Sequence, residues 1–135
     1  MKVHHIGYAV PDLGKAQVEF TALGWNVCSP ITEDVSRQAR IAFMEKDGVT
    51  IELVAPMSDG SPVYKMLQKG SGSPYHICYE VDSIEAAEVE LKKERFIPFQ
   101  KAAVAPAIGG RRVEFMYAKQ AGIIELVEKN NSQGE

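Results

Sequence analysis

Two residue types that commonly hold metals recur in this chain at matching places. His5 opens residues 5–16, HIGYAVPDLGKA, and His76 opens residues 76–87, HICYEVDSIEAA. Glu52 lies near the end of residues 41–54, IAFMEKDGVTIELV. Glu125 lies near the end of residues 113–127, VEFMYAKQAGIIELV, which carry one extra residue in the turn. Imidazole nitrogen and carboxylate oxygen are borderline-to-hard donors. Two of each suit Zn, Ni, Fe, Co or Mn and leave room for water or substrate. A lone histidine at a strand start is more often structural, and a lone strand glutamate more often faces water. Here both recur together, in the same order, and that recurrence favours a metal site.

The elements that position these residues are themselves repeated. Each half reads β-α-β-β-β. Along Val3–Val10, His5, Gly7 and Ala9 share one face, and His4, Ile6, Tyr8 and Val10 the other. In the second copy His76, Cys78 and Glu80 oppose Tyr75, Ile77, Tyr79 and Val81. The bulky face is predicted to pack on helices, and the face with histidine and small or polar residues to line a shallow cavity. Glu52 and Glu125 point away from their Ile and Leu neighbours. A buried glutamate without a partner is costly, so each must reach solvent, a cation or a metal. Equivalent residues of a duplicated module sit symmetrically about its pseudo-two-fold axis, so the two His and two Glu could meet in one cavity.

Local signals set the element ends. Asp12 caps a helix to about Leu23, and Gly24 ends it. Asp82, with Glu85 in a capping box, is predicted to start a second helix to about Lys93. Asp47-Gly48 marks a hairpin. Ser61-Pro62 predicts a short helix from Val63 to Lys69, ended by Gly70. Residues 69–74, KGSGSP, are the best linker.

With 135 residues, 45% apolar and 24% charged, the chain fits one compact domain over residues 1–129. That domain comprises modules at about 3–57 and 74–129, a helix and linker at 61–73, and a disordered tail at 130–135. A core of this size forms without a structural metal. Net charge −3 and pI about 5.7 argue against a nucleic-acid partner. No apolar run reaches spanning length and no signal-peptide layout opens the chain, so a cytoplasmic protein away from membranes is expected. Cys28 and Cys78 are predicted to be buried thiols.

Candidate substrate contacts come from the same strands. Met44 and Met116 occupy equivalent places and are predicted to line the cavity, with plain core filling nearly as good a reading. Glu114 aligns with Ala42 and is predicted to face the same cavity, with pairing to Arg112 the simpler role. Arg111 and Arg112 could meet a substrate phosphate or carboxylate, or form surface salt bridges.

From His5 to Glu128, the tandem β-α-β-β-β layout with His5, Glu52, His76 and Glu125 resembles the vicinal oxygen chelate (glyoxalase) superfamily. The resemblance implies an α+β fold, tandem βαβββ modules forming a cupped mixed sheet around a metal cavity. The complete ligand set looks most like glyoxalase I and methylmalonyl-CoA epimerase. Residues 60–87 are similar to the epimerases, although Tyr75 stands where these usually have histidine. The segments HIGYAV, PYHICYEV and the Ala-Pro-Ala-Ile loop resemble short clostridial-type glyoxalase I proteins. Ala9 stands where many glutathione-using glyoxalases have arginine. The resemblance therefore implies a glyoxalase I-type (lactoylglutathione lyase-like) enzyme first, an acyl-CoA epimerase second, and a non-catalytic small-molecule or antibiotic binder third. Under the first two, one divalent ion (Ni, Co, Zn or Mn) is held by His5, Glu52, His76 and Glu125. Glu125 is then the base, Glu52 its counterpart, a thioester or hemithioacetal the substrate, and a homodimer the assembly.

Overall fold

The computed structural model describes residues 1–130; of the expected tail, residues 131–135 lie outside the described residues. The chain divides into two compact units, His5–Tyr75 and Met1–His4 together with His76 onward.

The first unit takes in β1 (Lys2–Ala9) from His5 on, which leads into α1 (Leu13–Ala22). Then follow β2 (Asn26–Val27), β3 (Thr32–Asp34), β4 (Ala39–Lys46) and β5 (Val49–Pro56). The strand order is β2-β4-β5-β1, with β3 also on β4. β1 runs parallel to β5, and β4 antiparallel to it. As the alternation predicts, Ile6, Tyr8 and Val10 pack on the α1 side with Leu13, Ala16, Leu53 and Phe20. Asp12 accepts from the backbone N–H of Lys15 at 2.9 Å and caps α1. Gly24 then turns the chain at φ 95°, where a Cβ would be strained.

The expected single strand after α1 is instead two short ones. Pro30 lies between them and has no N–H to give a ladder. The hairpin at Asp47-Gly48 is as predicted, both residues having positive φ and Lys46 facing Val49. The helix expected over Val63–Lys69 shrinks to a 3-10 turn at Lys65–Leu67. Ser61 does not cap it with its side chain: the hydroxyl is buried, with no hydrogen-bond partner among the described residues. Gly70 still turns the chain out, at φ 81°.

The second unit repeats the plan with β6 (Ser73–Val81), α2 (Ile84–Lys93), β7 (Ile97–Ala105), β8 (Arg111–Ala118) and β9 (Gly122–Glu128). Its order is β6-β9-β8-β7, with β6 and β9 parallel. Val81, Ile84, Ala87, Met116, Ile124 and Leu126 form the core under α2. The N-cap is Ser83, not Asp82: Ser83 Oγ accepts from the Ala86 N–H at 3.1 Å. Asp82 pairs with Lys129 and Glu85 with Arg112, so neither carboxylate builds the expected capping box. Cys78 is buried as expected, but Cys28 lies exposed, just past the two-residue strand Asn26–Val27, which is itself exposed.

Candidate metal centre

In the first unit the hairpin register sets the site. Phe43 faces Glu52 across β4 and β5, and Gly7 faces Glu52 across β1 and β5. Glu52 and His5 therefore share a face, as predicted from alternation. His5 Nε2 lies 3.4 Å from Glu52 Oε1, and their side chains are 0% and 7% exposed. The Phe43 ring stands edge-on to the imidazole, with centroids 5.4 Å apart and planes at 77°.

The second unit builds the same trio. Cys78 faces Glu125 across β6 and β9, and Phe115 faces Glu125 across β8 and β9. His76 Nε2 lies 3.0 Å from Glu125 Oε1, with side chains 0% and 5% exposed. Phe115 stands edge-on to His76 at 5.3 Å and 87°.

Each pair fits a metal by its donor chemistry and spacing. Donors about 2.0–2.2 Å from one ion, at tetrahedral to right angles, lie about 3–3.5 Å apart. Both observed separations fall in that range. The same spacing suits an imidazole–carboxylate contact, which offsets the cost of burying the carboxylate. Each unit therefore holds a buried His–Glu pair whose donor types and spacing suit a metal.

Other expected site residues lie elsewhere. Met44 faces Ile51 and packs under α1 with Leu13 and Leu53. Met116 faces Ile124 and packs under α2. Both are on the face opposite the His–Glu pairs and fill core, not cavity. Glu114 is also on the helix side, facing Leu126. It is buried, and one of its two carboxyl oxygens, Oε2, has no hydrogen-bond partner among the described residues. Burial first, then a hydrogen bond with Glu88 and the charges of Glu88 and Glu85, push Glu114 up to about 7.

The arginines are engaged with the protein. Arg112 pairs with Glu85 at 2.6 Å and Glu128 at 3.0 Å, not with Glu114. It belongs to the helix side because it alternates with Val113 along β8. Arg111 is on the same face as Phe115. Its Nη2 donates to Glu80 Oε2 at 2.6 Å and its Nε to the Glu128 carbonyl at 2.7 Å. The Arg111 hydrogen bond holds Glu80 below the usual carboxylate range, against the opposing effect of burial.

Phe43 and Phe115 were not among the expected site residues. The signal was present, since both fall at equivalent places in the repeat, next to the methionines.

Comparison with known proteins adds the family. The sequence profile of the "Glyoxalase/Bleomycin resistance protein/Dioxygenase superfamily" matches residues 4–115. The chain is 33% identical over 131 residues to the mitochondrial methylmalonyl-CoA epimerase of Homo sapiens, covering 93% of this chain and 72% of that protein. It is 35% identical over 94 residues to the ethylmalonyl-CoA/methylmalonyl-CoA epimerase of Cereibacter sphaeroides, covering 68% and 69%. Among solved structures, the methylmalonyl-CoA epimerase of Mycobacterium tuberculosis superposes with TM-score 0.82 over 98% of this chain and 91% of that one; at 24% identity this shows a shared fold. These relatives are epimerases, the second of the two enzymes that the sequence suggested, and they give no specific support to the glyoxalase reading. Among the described residues, no helix is long and apolar enough to cross a membrane.

Proposed function

We propose that this chain, which belongs to the Glyoxalase/Bleomycin resistance protein/Dioxygenase superfamily, is a divalent-metal-dependent acyl-CoA epimerase acting on methylmalonyl-CoA or a close 2-carboxyacyl thioester. One observation carries the reading: relatives that are epimerases match a chain with two equivalent, buried His–Glu pairs. The four residues His5, Glu52, His76 and Glu125 are the ligands of one ion in this reading. A bound divalent metal would supply Lewis acidity to the thioester carbonyl.

The chain's own residues do the rest. His5 and His76 hold their Nε2 atoms toward the carboxylates of Glu52 and Glu125. The substrate carbon lies between a thioester and a carboxylate, so its proton is acidified by the carbonyl. Glu125 removes that proton from one face. Glu52, contributed by the other repeat, returns a proton to the opposite face, and the centre is inverted. Burial of both carboxylates keeps bulk water from competing as a proton carrier. The reading carries with it a cytoplasmic homodimer whose partner is a small thioester. The arginines support salt bridges in it rather than a dedicated anion site, because their guanidinium groups are engaged by Glu80, Glu85 and Glu128.

The test is hydrogen exchange. Metal-loaded protein and methylmalonyl-CoA are incubated in deuterium oxide, and deuterium at the 2-position is read by mass spectrometry. Exchange that is metal-dependent and lost in Glu125→Gln is expected. No exchange while metal is bound stoichiometrically would overturn the reading. Turnover of methylglyoxal with a thiol under those conditions would return the glyoxalase reaction to first place.

A further inference from the structure

We infer that Phe43 and Phe115 are positioning residues that fix the imidazoles of His5 and His76 for metal binding; the inference rests on the metal reading above. Each phenylalanine sits directly across the ladder from the glutamate of its unit, Phe43 from Glu52 and Phe115 from Glu125. Cross-strand partners have Cβ atoms about 4.5–5.5 Å apart on one face. The ring is therefore placed beside the carboxylate, and it meets the histidine on the far side of that strand edge-on in both units.

This geometry restricts one degree of freedom that matters. The terminal torsion of histidine is broad and roughly two-fold. Turning it swings Nε2 away from the carboxylate. An aromatic edge packed at right angles to the imidazole plane blocks that swing, and edge-to-face pairs are favourable beyond their area, by about 0.5–1.5 kcal/mol. Outer partners that orient metal-ligating histidines tune the site, and an edge-on aromatic ring meets the imidazole in both copies.

Plain core filling does not account for the pattern. The cores under α1 and α2 use Met44 and Met116, one residue along and on the opposite face. Their phenylalanine neighbours face the His–Glu pairs instead. The two units also support the ring differently. Phe115 leans on Phe99 at 6.0 Å, whereas the backbone N–H of Phe43 donates to Ser29 Oγ at 2.8 Å. The ring-on-imidazole contact is the common element, although its surroundings differ.

The test uses cobalt(II) as the probe, because its visible absorption bands report ligand geometry. Phe43→Met and Phe115→Met keep volume and remove the ring. Phe115→Tyr keeps the ring. Melting in EDTA reports folding without metal. The Met variants are expected to melt close to the wild type, bind cobalt(II) about ten-fold or more weakly, and show altered bands. Phe115→Tyr is expected to bind as the wild type does. Folded Met variants with wild-type affinity and spectrum would overturn this inference alone. Should a Met variant fail to fold, Phe→Leu at that position is read by the same criteria. A wild-type protein that takes up no cobalt(II) would overturn the metal reading and this inference with it.

Discussion

The two units hold the same His–Glu–Phe trio in different settings. His5, Glu52 and Phe43 in one match His76, Glu125 and Phe115 in the other, in ladder register, ring geometry and burial of the His–Glu pair. Away from the trio the copies diverge. The strand after the helix is broken by Pro30 in the first unit and continuous, with bulges, in the second. Under the helix, Ala42 in the first is matched by the buried Glu114 in the second. The first helix ends on Gly24 and the second on Arg95, at φ 68°. The face that carries the His–Glu pairs is kept in both copies, while the helix face and the helix ends vary within what packing tolerates.

The largest effects should come from breaking the trio in one copy. Glu125→Gln is expected to lower proton exchange by about 10²–10⁴-fold, the usual contribution of a positioned acid or base. Glu52→Gln should fall in the same range. A Glu52→Gln protein with full activity would show that the copies are equivalent in geometry but not in chemistry.

Next come the methionines. Met44→Ala and Met116→Ala each empty a fully buried core position, so chemical denaturation should show each variant less stable by about 2–5 kcal/mol. Cobalt(II) affinity measured on the folded variants should stay near the wild-type value. A selective loss of affinity would put these side chains back at the site.

The buried carboxylate in the second unit predicts an asymmetric pH response. Glu114 is raised from 4.5 to about 7 in the folded protein, mainly by burial. The folded state then keeps a proton that the unfolded chain has released, so stability falls as pH rises between those values. Glu88 is shifted the other way, by its hydrogen bonds with Glu114 and then Lys92. Its stabilisation is lost only as pH falls through its lowered value, outside this window. The melting temperature should therefore drop between about pH 4.5 and about pH 7, and Glu114→Gln should flatten the drop. An equal drop in Glu114→Gln would assign it to another group.

The smallest effect is at the helix end. Arg95→Gly places a residue suited to positive φ where the first copy already has one, and should stabilise by about 0.5–1 kcal/mol in thermal melts.

The placement of the candidate ligands was legible because the repeat marks it. Alternation in β1 and β6 put the histidines on the non-helical face, and the Ile-Glu-Leu pattern turned both glutamates to the same side. The methionines were placed on the wrong face for a definable reason. β4 is buried on both faces along its centre, so its hydropathy has no alternation to read. The turn held the answer: a two-residue Asp47-Gly48 hairpin pairs Lys46 with Val49, and counting back pairs Phe43, not Met44, with Glu52. The one-residue-longer turn at Ala118–Gly122 likewise pairs Phe115 with Glu125. The Ser83 cap was missed because Asp82 is an equally good cap by type. Lys129, distant in sequence, takes the Asp82 carboxylate in the fold.

In the proposed function, His5, Glu52, His76 and Glu125 hold a single ion. Metal content after loading and gel filtration, by inductively coupled plasma mass spectrometry, tests it most directly. One ion per chain is expected, with His5→Ala and His76→Ala each abolishing uptake while the protein stays folded in EDTA. Two ions per chain, or uptake that survives loss of one histidine and not the other, would contradict the account.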